Sequence, residues 1–166
     1  MNPDFAREPG KVHPTPPGEV GEPRGAVGQT RGMRTELLDV HTADRDVVVD
    51  ITAACASFVS DQADGLLHVF VPHATAGIAI METGAASDED LLMALGNLLP
   101  ADDRWLHRHG SRGHGRSHVL PALIPPYATV PIVAGRLALG IWQSICLVDL
   151  NVDNAQRQVR LSLIPL

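Results

Sequence analysis

Short apolar bursts separated by turn residues run through most of the chain, and their period switches from two to about 3.6 in only two places. Leu38 and Val40 alternate with polar neighbours and predict a strand over residues 34–41, followed by a turn at Asp44 to Asp46. The β-branched run VVVDI predicts a second strand over 47–51. Thr52 stands where it can cap a short helix, AACASFVSDQ, whose Ala54, Cys55, Phe58 and Val59 share one face. After a turn at Asp64 and Gly65, strands are predicted over 66–71 and 76–82. Ser87 with Asp88, Glu89 and Asp90 reads as a capped helix start with acids in the first turn. Leu91, Leu92, Leu95, Leu98 and Leu99 carry that helix to Pro100. The remainder reads as strand 127–133, a turn at Ala134 and Gly135, strand 136–140, a strand over 141–150, and a final strand over 158–164 with clean alternation.

About eight strands and two short helices, joined mostly by short turns, predict an α+β fold of mainly antiparallel sheet, sandwich-like, in one domain over residues 32–166. Residues 1–31, dense in Gly and Pro and without apolar periodicity, read as a disordered tail. No glycine-rich phosphate loop follows a strand, which argues against a doubly wound nucleotide fold. Net charge is −6 with 45% apolar residues, so bulk charge gives no reason to expect nucleic-acid binding. No run reaches the roughly 20 apolar residues of a membrane helix, nor does the N-terminus carry a signal-peptide core; a cytoplasmic protein without a membrane partner is expected. Cys55 and Cys146, in apolar surroundings, read as inert buried thiols.

One stretch fits no structural need. WLHRHGSRGHGRSH, residues 105–118, holds four of the eight histidines, His107, His109, His114 and His118. Arg104, Arg108, Arg112 and Arg116 recur at a spacing that would align them on a helix, but Gly110, Gly113 and Gly115 each weigh against helix by about 1 kcal/mol. A loop is predicted. Imidazole and guanidinium together suit a metal ion or a bound anion. Three further patches are polar where a structural sequence would be apolar: His73 with Thr75, Glu82, and Arg136 with Trp142 and Gln143. Three histidines from two segments suggest a three-imidazole metal site with an open position. Glu82, beyond an apolar strand, is costly to bury unpaired and suits a general base. Trp142, on the ordinary preference of an indole, belongs in the core.

At these patches the chain resembles the YjbQ-like family, some members of which carry the label secondary thiamine-phosphate synthase. HATAGIAIME is similar to the family's H-[TS]-[TS]-A-x-[IL]-x-[IL]-x-E, GRLALGIWQSICLVDLN to its GRLxLGTWQ block, and His107 and His118 to its loop pattern in identity and spacing. The resemblance implies that His73, His107 and His118 hold a divalent metal, zinc for preference, beside Glu82. It implies Thr75, Ser117 and Arg136 as donors to an anion such as phosphate, with Trp142 and Gln143 lining the site, and Glu82, His73, His118 and Arg136 as the catalytic set. It further implies a homotrimer with a pocket at or near a subunit boundary. The activity it implies joins a pyrimidine pyrophosphate to a thiazole phosphate. Another phosphate-directed reaction is the near alternative, and a non-catalytic oligomeric module binding metal or anion is the alternative of a different class. Three departures stand out: TGAASDED after Glu82, GIWQ in place of GTWQ, and the additional His109 and His114.

Overall fold

Every strand pairing is antiparallel, and the pairings sort the strands into two sheets. In the computed structural model, which describes residues 33–165, β1 (Thr35–His41), β8 (Gln156–Pro165), β3 (Gly65–Phe70), β5 (Tyr127–Val133) and β6 (Arg136–Leu137) form one sheet in that order. The second sheet joins β2 (Val47–Asp50), β7 (Ser144–Asp149) and β4 (Ala76–Met81). The mainly antiparallel α+β fold expected from the pattern is the fold found. The tail read over residues 1–31 lies outside the described residues.

Strand β7 explains the layering. Its side chains are buried on both faces, so alternation is replaced by a continuous apolar run. Ile145 and Leu147 enter a core shared with Leu67 and Val69 of β3 and Val159 and Leu161 of β8, which joins the two sheets. Val148, on the opposite face, and Leu150 pack against Leu95, Leu99 and Leu120. Full burial of each such side chain is worth about 1.5–3 kcal/mol. The order of layers is therefore the five-stranded sheet, the three-stranded sheet, and an outer layer of helix and histidine segment.

Among the described residues four helical segments occur where two helices were expected: α1 (Thr52–Val59), α2 (Ser87–Leu98) and two single turns, α3 (His114–Ser117) and α4 (Leu120–Leu123). Both predicted caps are corrected. Thr52 is the first helical residue; Asp50 accepts its N–H at 2.8 Å, and its hydroxyl accepts the N–H of Ile145 at 2.8 Å, tying α1 to β7. Ser87 likewise starts α2 after Ala86, which turns the chain at φ 66°, and makes no cap bond. Leu98 is 63% exposed because the buried stripe of α2 is narrow, leaving only Leu95 fully covered within the helix. The strand expected from residue 141 begins at Ser144. Gly140 to Gln143 instead close a turn, the Gln143 N–H donating to the Gly140 carbonyl at 2.9 Å and the Gly140 N–H to Gln143 Oε1 at 2.7 Å.

The thiols match their reading: Cys55 and Cys146 are buried, and desolvation pushes both up to about 12. Among the described residues no helix is long and apolar enough to cross a membrane.

Candidate metal centre

The histidine segment is folded against the protein by its own composition. Trp105 packs on the outer core and donates its indole N–H to the Pro100 carbonyl at 2.9 Å. Arg116 is buried; it bonds Asp46 at 2.5 Å and the Leu99 carbonyl at 3.3 Å, fastening the segment to the β1–β2 turn and the end of α2. The regular arginine spacing thus serves separate tasks: Arg104 pairs with Asp102, Arg112 lies 3.5 Å from Asp103, and Arg116 is an anchor. Two glycines make the path available. Gly110 turns at φ 76°, and a Cβ there would stand 2.5 Å from Asp153 Oδ2 and 2.6 Å from His114 Nδ1. At Gly115 a Cβ would stand 2.6 Å from Trp105 Cβ, so the last glycine admits the tryptophan.

This path gathers four imidazoles. One ring nitrogen from each of His107, His109, His114 and His118 lies within 4.8 Å of all the others. Ring centroids are 4.1 Å apart for His107 and His109 and 4.2 Å for His107 and His118. Loss of solvent among the neighbouring rings lowers the His107 pKa, helped by repulsion from His109 and His114. Burial, then the same mutual repulsion, lowers that of His118. Both are therefore neutral at pH 7, the state a metal requires. His107, His109 and His114 line a cleft of about 530 Å³, with Arg108 and Arg112 on its wall.

His114 is held from behind. Its Nδ1 donates to Asp153 Oδ2 at 2.5 Å, and Asp153 also accepts the Ser111 N–H at 3.1 Å. The bond from that N–H, more than the one from His114, holds the Asp153 carboxyl below its usual range. Asp153 belongs to the turn between β7 and β8, where the Asn151 N–H donates to Asp149 Oδ1 and the Asp153 N–H to Asn151 Oδ1, each at 2.9 Å. Asp149 is fully buried with Arg157 at 2.8 Å. That contact is an ion pair of poor hydrogen-bonding angle, since Arg157 Nε and Nη2 make no hydrogen bond.

The residues singled out in the sequence separate into two groups. His73 lies at the histidine end: its Nδ1 is 2.9 Å from the Thr75 hydroxyl, and its charge is felt by His118, but it is outside the set of four. Burial, with the Arg157 charge next, lowers its pKa. Thr75 and Ser117 are buried with their hydroxyls already engaged, Thr75 by His73 and Ser117 by the His114 carbonyl at 2.7 Å. Glu82, Trp142 and Gln143 lie at the other end of the three-stranded sheet. Ala76 pairs with Asp149 at one end of β4 and Met81 with Ser144 at the other, roughly 17 Å away at the usual strand rise. Arg136 follows the end of β5 farther from Tyr127. All four are exposed, Trp142 by 69%, so the core position expected for the indole is corrected and Glu82 bears no cost of burial. Asp153 gave no sequence signal, because DLNVDN reads as an ordinary turn. The density of histidines was the signal for His109 and His114.

A family model described as UPF0047 protein YjbQ-like matches residues 36–165. A UPF0047 protein of Mycobacterium tuberculosis is 58% identical over 132 residues, 80% of this chain and 98% of the relative. One from Archaeoglobus fulgidus is 30% identical over 74% of this chain and 95% of its own. Among solved structures, a hypothetical protein from Aeropyrum pernix superposes with a TM-score of 0.73 at 31% identity, covering 81% of this chain and all of that one. A YbjQ-like protein of unknown function from Sulfolobus solfataricus superposes at 0.75 with 24% identity, over 81% and 99%, and supports the fold alone. Matched by the family model over nearly all of its described residues, the chain belongs to the YjbQ-like UPF0047 family.

Proposed function

We propose that this chain is a zinc-dependent enzyme acting on a small phosphorylated molecule, with His107 and His118 at the heart of its metal site. The observation that carries the reading is the set of four ring nitrogens within 4.8 Å of one another. Neutral imidazoles suit zinc, copper, nickel and iron; zinc is preferred because a set of nitrogens at this spacing suits tetrahedral binding without redox chemistry. A bound zinc would supply a Lewis acid able to polarise a phosphoryl oxygen. The chain's own contribution is orientation and charge. Arg108 and Arg112 on the cleft wall offer guanidinium donors to a phosphate, and His73, neutral beside the cluster, is placed to carry a proton. Formation of thiamine phosphate from a pyrimidine pyrophosphate and a thiazole phosphate is one reaction this arrangement suits, and hydrolysis of a phosphate ester is another.

The reading includes assembly as a homotrimer. Glu82, Arg136, Trp142 and Gln143 are too far from the histidines of their own chain to act with them. Ile141, 88% exposed, and Trp142 form an apolar tip suited to burial against a neighbour. A subunit boundary that seats this tip beside another copy's histidines would reunite the two groups, with Glu82 as base.

One observation favours the second reading, a non-catalytic metal-binding module. Four imidazoles fill a tetrahedral set and leave no position for a substrate, as in structural sites. Elemental analysis and a turnover screen of phosphorylated metabolites separate the two. The enzyme reading expects about one zinc per chain, lost in His118→Ala, together with turnover that Glu82→Gln abolishes while its zinc is retained. Zinc without turnover of any phosphorylated metabolite would favour the module, and a metal-free protein from zinc-replete medium would overturn both.

A further inference from the structure

A neutral imidazole has one donor and one acceptor nitrogen, and which is which is set by the partner of the other. For His114 that partner is unambiguous. Asp153 is an acceptor, so His114 Nδ1 carries the proton and Nε2 presents its lone pair. That lone pair faces His118 Nε2 at 3.0 Å. This is hydrogen-bonding distance, so the lone pair meets either a proton carried by His118 Nε2 or a cation in that proton's place. Two nitrogens on one tetrahedral zinc, each bonded at about 2.0–2.1 Å, stand roughly 3.3 Å apart, close to the spacing found.

Nothing about Asp153 is left loose. Its two oxygens take the Ser111 N–H and the His114 ring, and its backbone is drawn down through Asn151 to Asp149, which is buried with Arg157 between the sheets. Gly110 is bare of a side chain where one would strike both Asp153 and His114. A carboxylate so fixed, on a different element from the histidines, is what a carboxylate–histidine–metal triad requires: it sets the tautomer, orients the ring and raises the basicity of the free nitrogen.

We infer that His114 is a zinc ligand through Nε2 and that Asp153 is its positioning residue, so that the β7–β8 turn is part of the metal centre. The inference rests on the metal-site reading above and adds the third ligand and its support. Asp153→Asn keeps an oxygen for the Ser111 N–H but turns an amide NH2 towards His114, so it removes both the charge and the acceptor that sets the tautomer.

The test is zinc affinity of the full chain, measured by competition with a chromophoric chelator, for wild type, His118→Ala, His114→Gln and Asp153→Asn. Nitrogen-15 spectra of the histidine rings with and without zinc accompany it. Asp153→Asn is expected to weaken zinc by about 10–100-fold and His114→Gln by at least as much. In wild type the spectra should show His114 protonated at Nδ1 and metal-bound at Nε2, a signature that a merely structural role for Asp153 does not produce. Wild-type affinity in both Asp153→Asn and His114→Gln, with zinc still lost in His118→Ala, would overturn this inference and leave the metal site standing. No zinc bound by wild type would overturn the site itself and the triad with it.

Discussion

At the Asp149 end of the three-stranded sheet polar side chains are joined in a series of ion pairs and hydrogen bonds, whereas at the Ser144 end the residues of chemical interest stand in solvent. The first end holds the buried Asp149–Arg157 pair, the Arg116–Asp46 anchor, and the connected series from Asn151 through Asp153 to His114. The second has a small knot, in which the Thr83 hydroxyl bonds Asp50 at 3.2 Å and Ser144 at 3.1 Å, and beyond it only exposed groups. Fixed partners allow an end to hold a preorganised set of ligands. An end without them leaves its side chains free to reorient.

The Asp149 end is most vulnerable at its buried anchor. Arg157→Ala leaves Asp149 charged and unpaired between the sheets, and is expected to cost about 3–5 kcal/mol in urea unfolding and to disorder the β7–β8 turn. A loss under 1 kcal/mol would mean that the pair does not anchor the histidine end. Zinc should act at the same end. At about 100 times its Kd it is expected to stabilise wild type by about 2.7 kcal/mol and His118→Ala hardly at all.

Without zinc, acid should act on this end first. His73, His107 and His118 have pKa values lowered from 6.5, so the unfolded chain binds more protons than the folded one just below that pH. Their contribution is full above pH 6.5 and declines as pH falls towards the lowered values. Melting temperatures of the metal-free protein between pH 7.5 and 5 would show it. Histidines that titrate at their ordinary pKa would give no such slope.

Gly110→Ala forces a methyl group against Asp153 and His114 in a left-handed turn, with an expected cost of about 2 kcal/mol and weaker zinc binding. At the opposite end effects should shrink. Trp142→Ala is expected to change the stability of the single chain by no more than about 0.5 kcal/mol, yet to lower the assembled mass in light scattering. A large stability loss with unchanged mass would show that the indole packs within its own chain.

How far the sequence could be read follows from the range of each interaction. Alternation along β8 and the leucine spacing of α2 are local, and both elements appeared where their periods placed them. Caps were misread because Thr52 and Ser87 suit either a cap or a first helical turn, and the neighbours decided: Asp50 and Ile145 for Thr52, the left-handed Ala86 for Ser87. Trp142 was misplaced because an indole after an apolar stretch looks like core until the turn from Gly140 to Gln143 directs it outward.

The sequence alone determined the family, the antiparallel sheets and the presence of a histidine-rich segment. These rest on short-range periodicity and on residue types concentrated in one segment. Only the tertiary structure decided which histidines meet, that Asp153 stands behind His114, and that Glu82 and Trp142 lie at the far end of the sheet. Those relations join residues up to about sixty positions apart in the chain. Register and layer packing fix them, and neither is encoded in the spacing of any one motif.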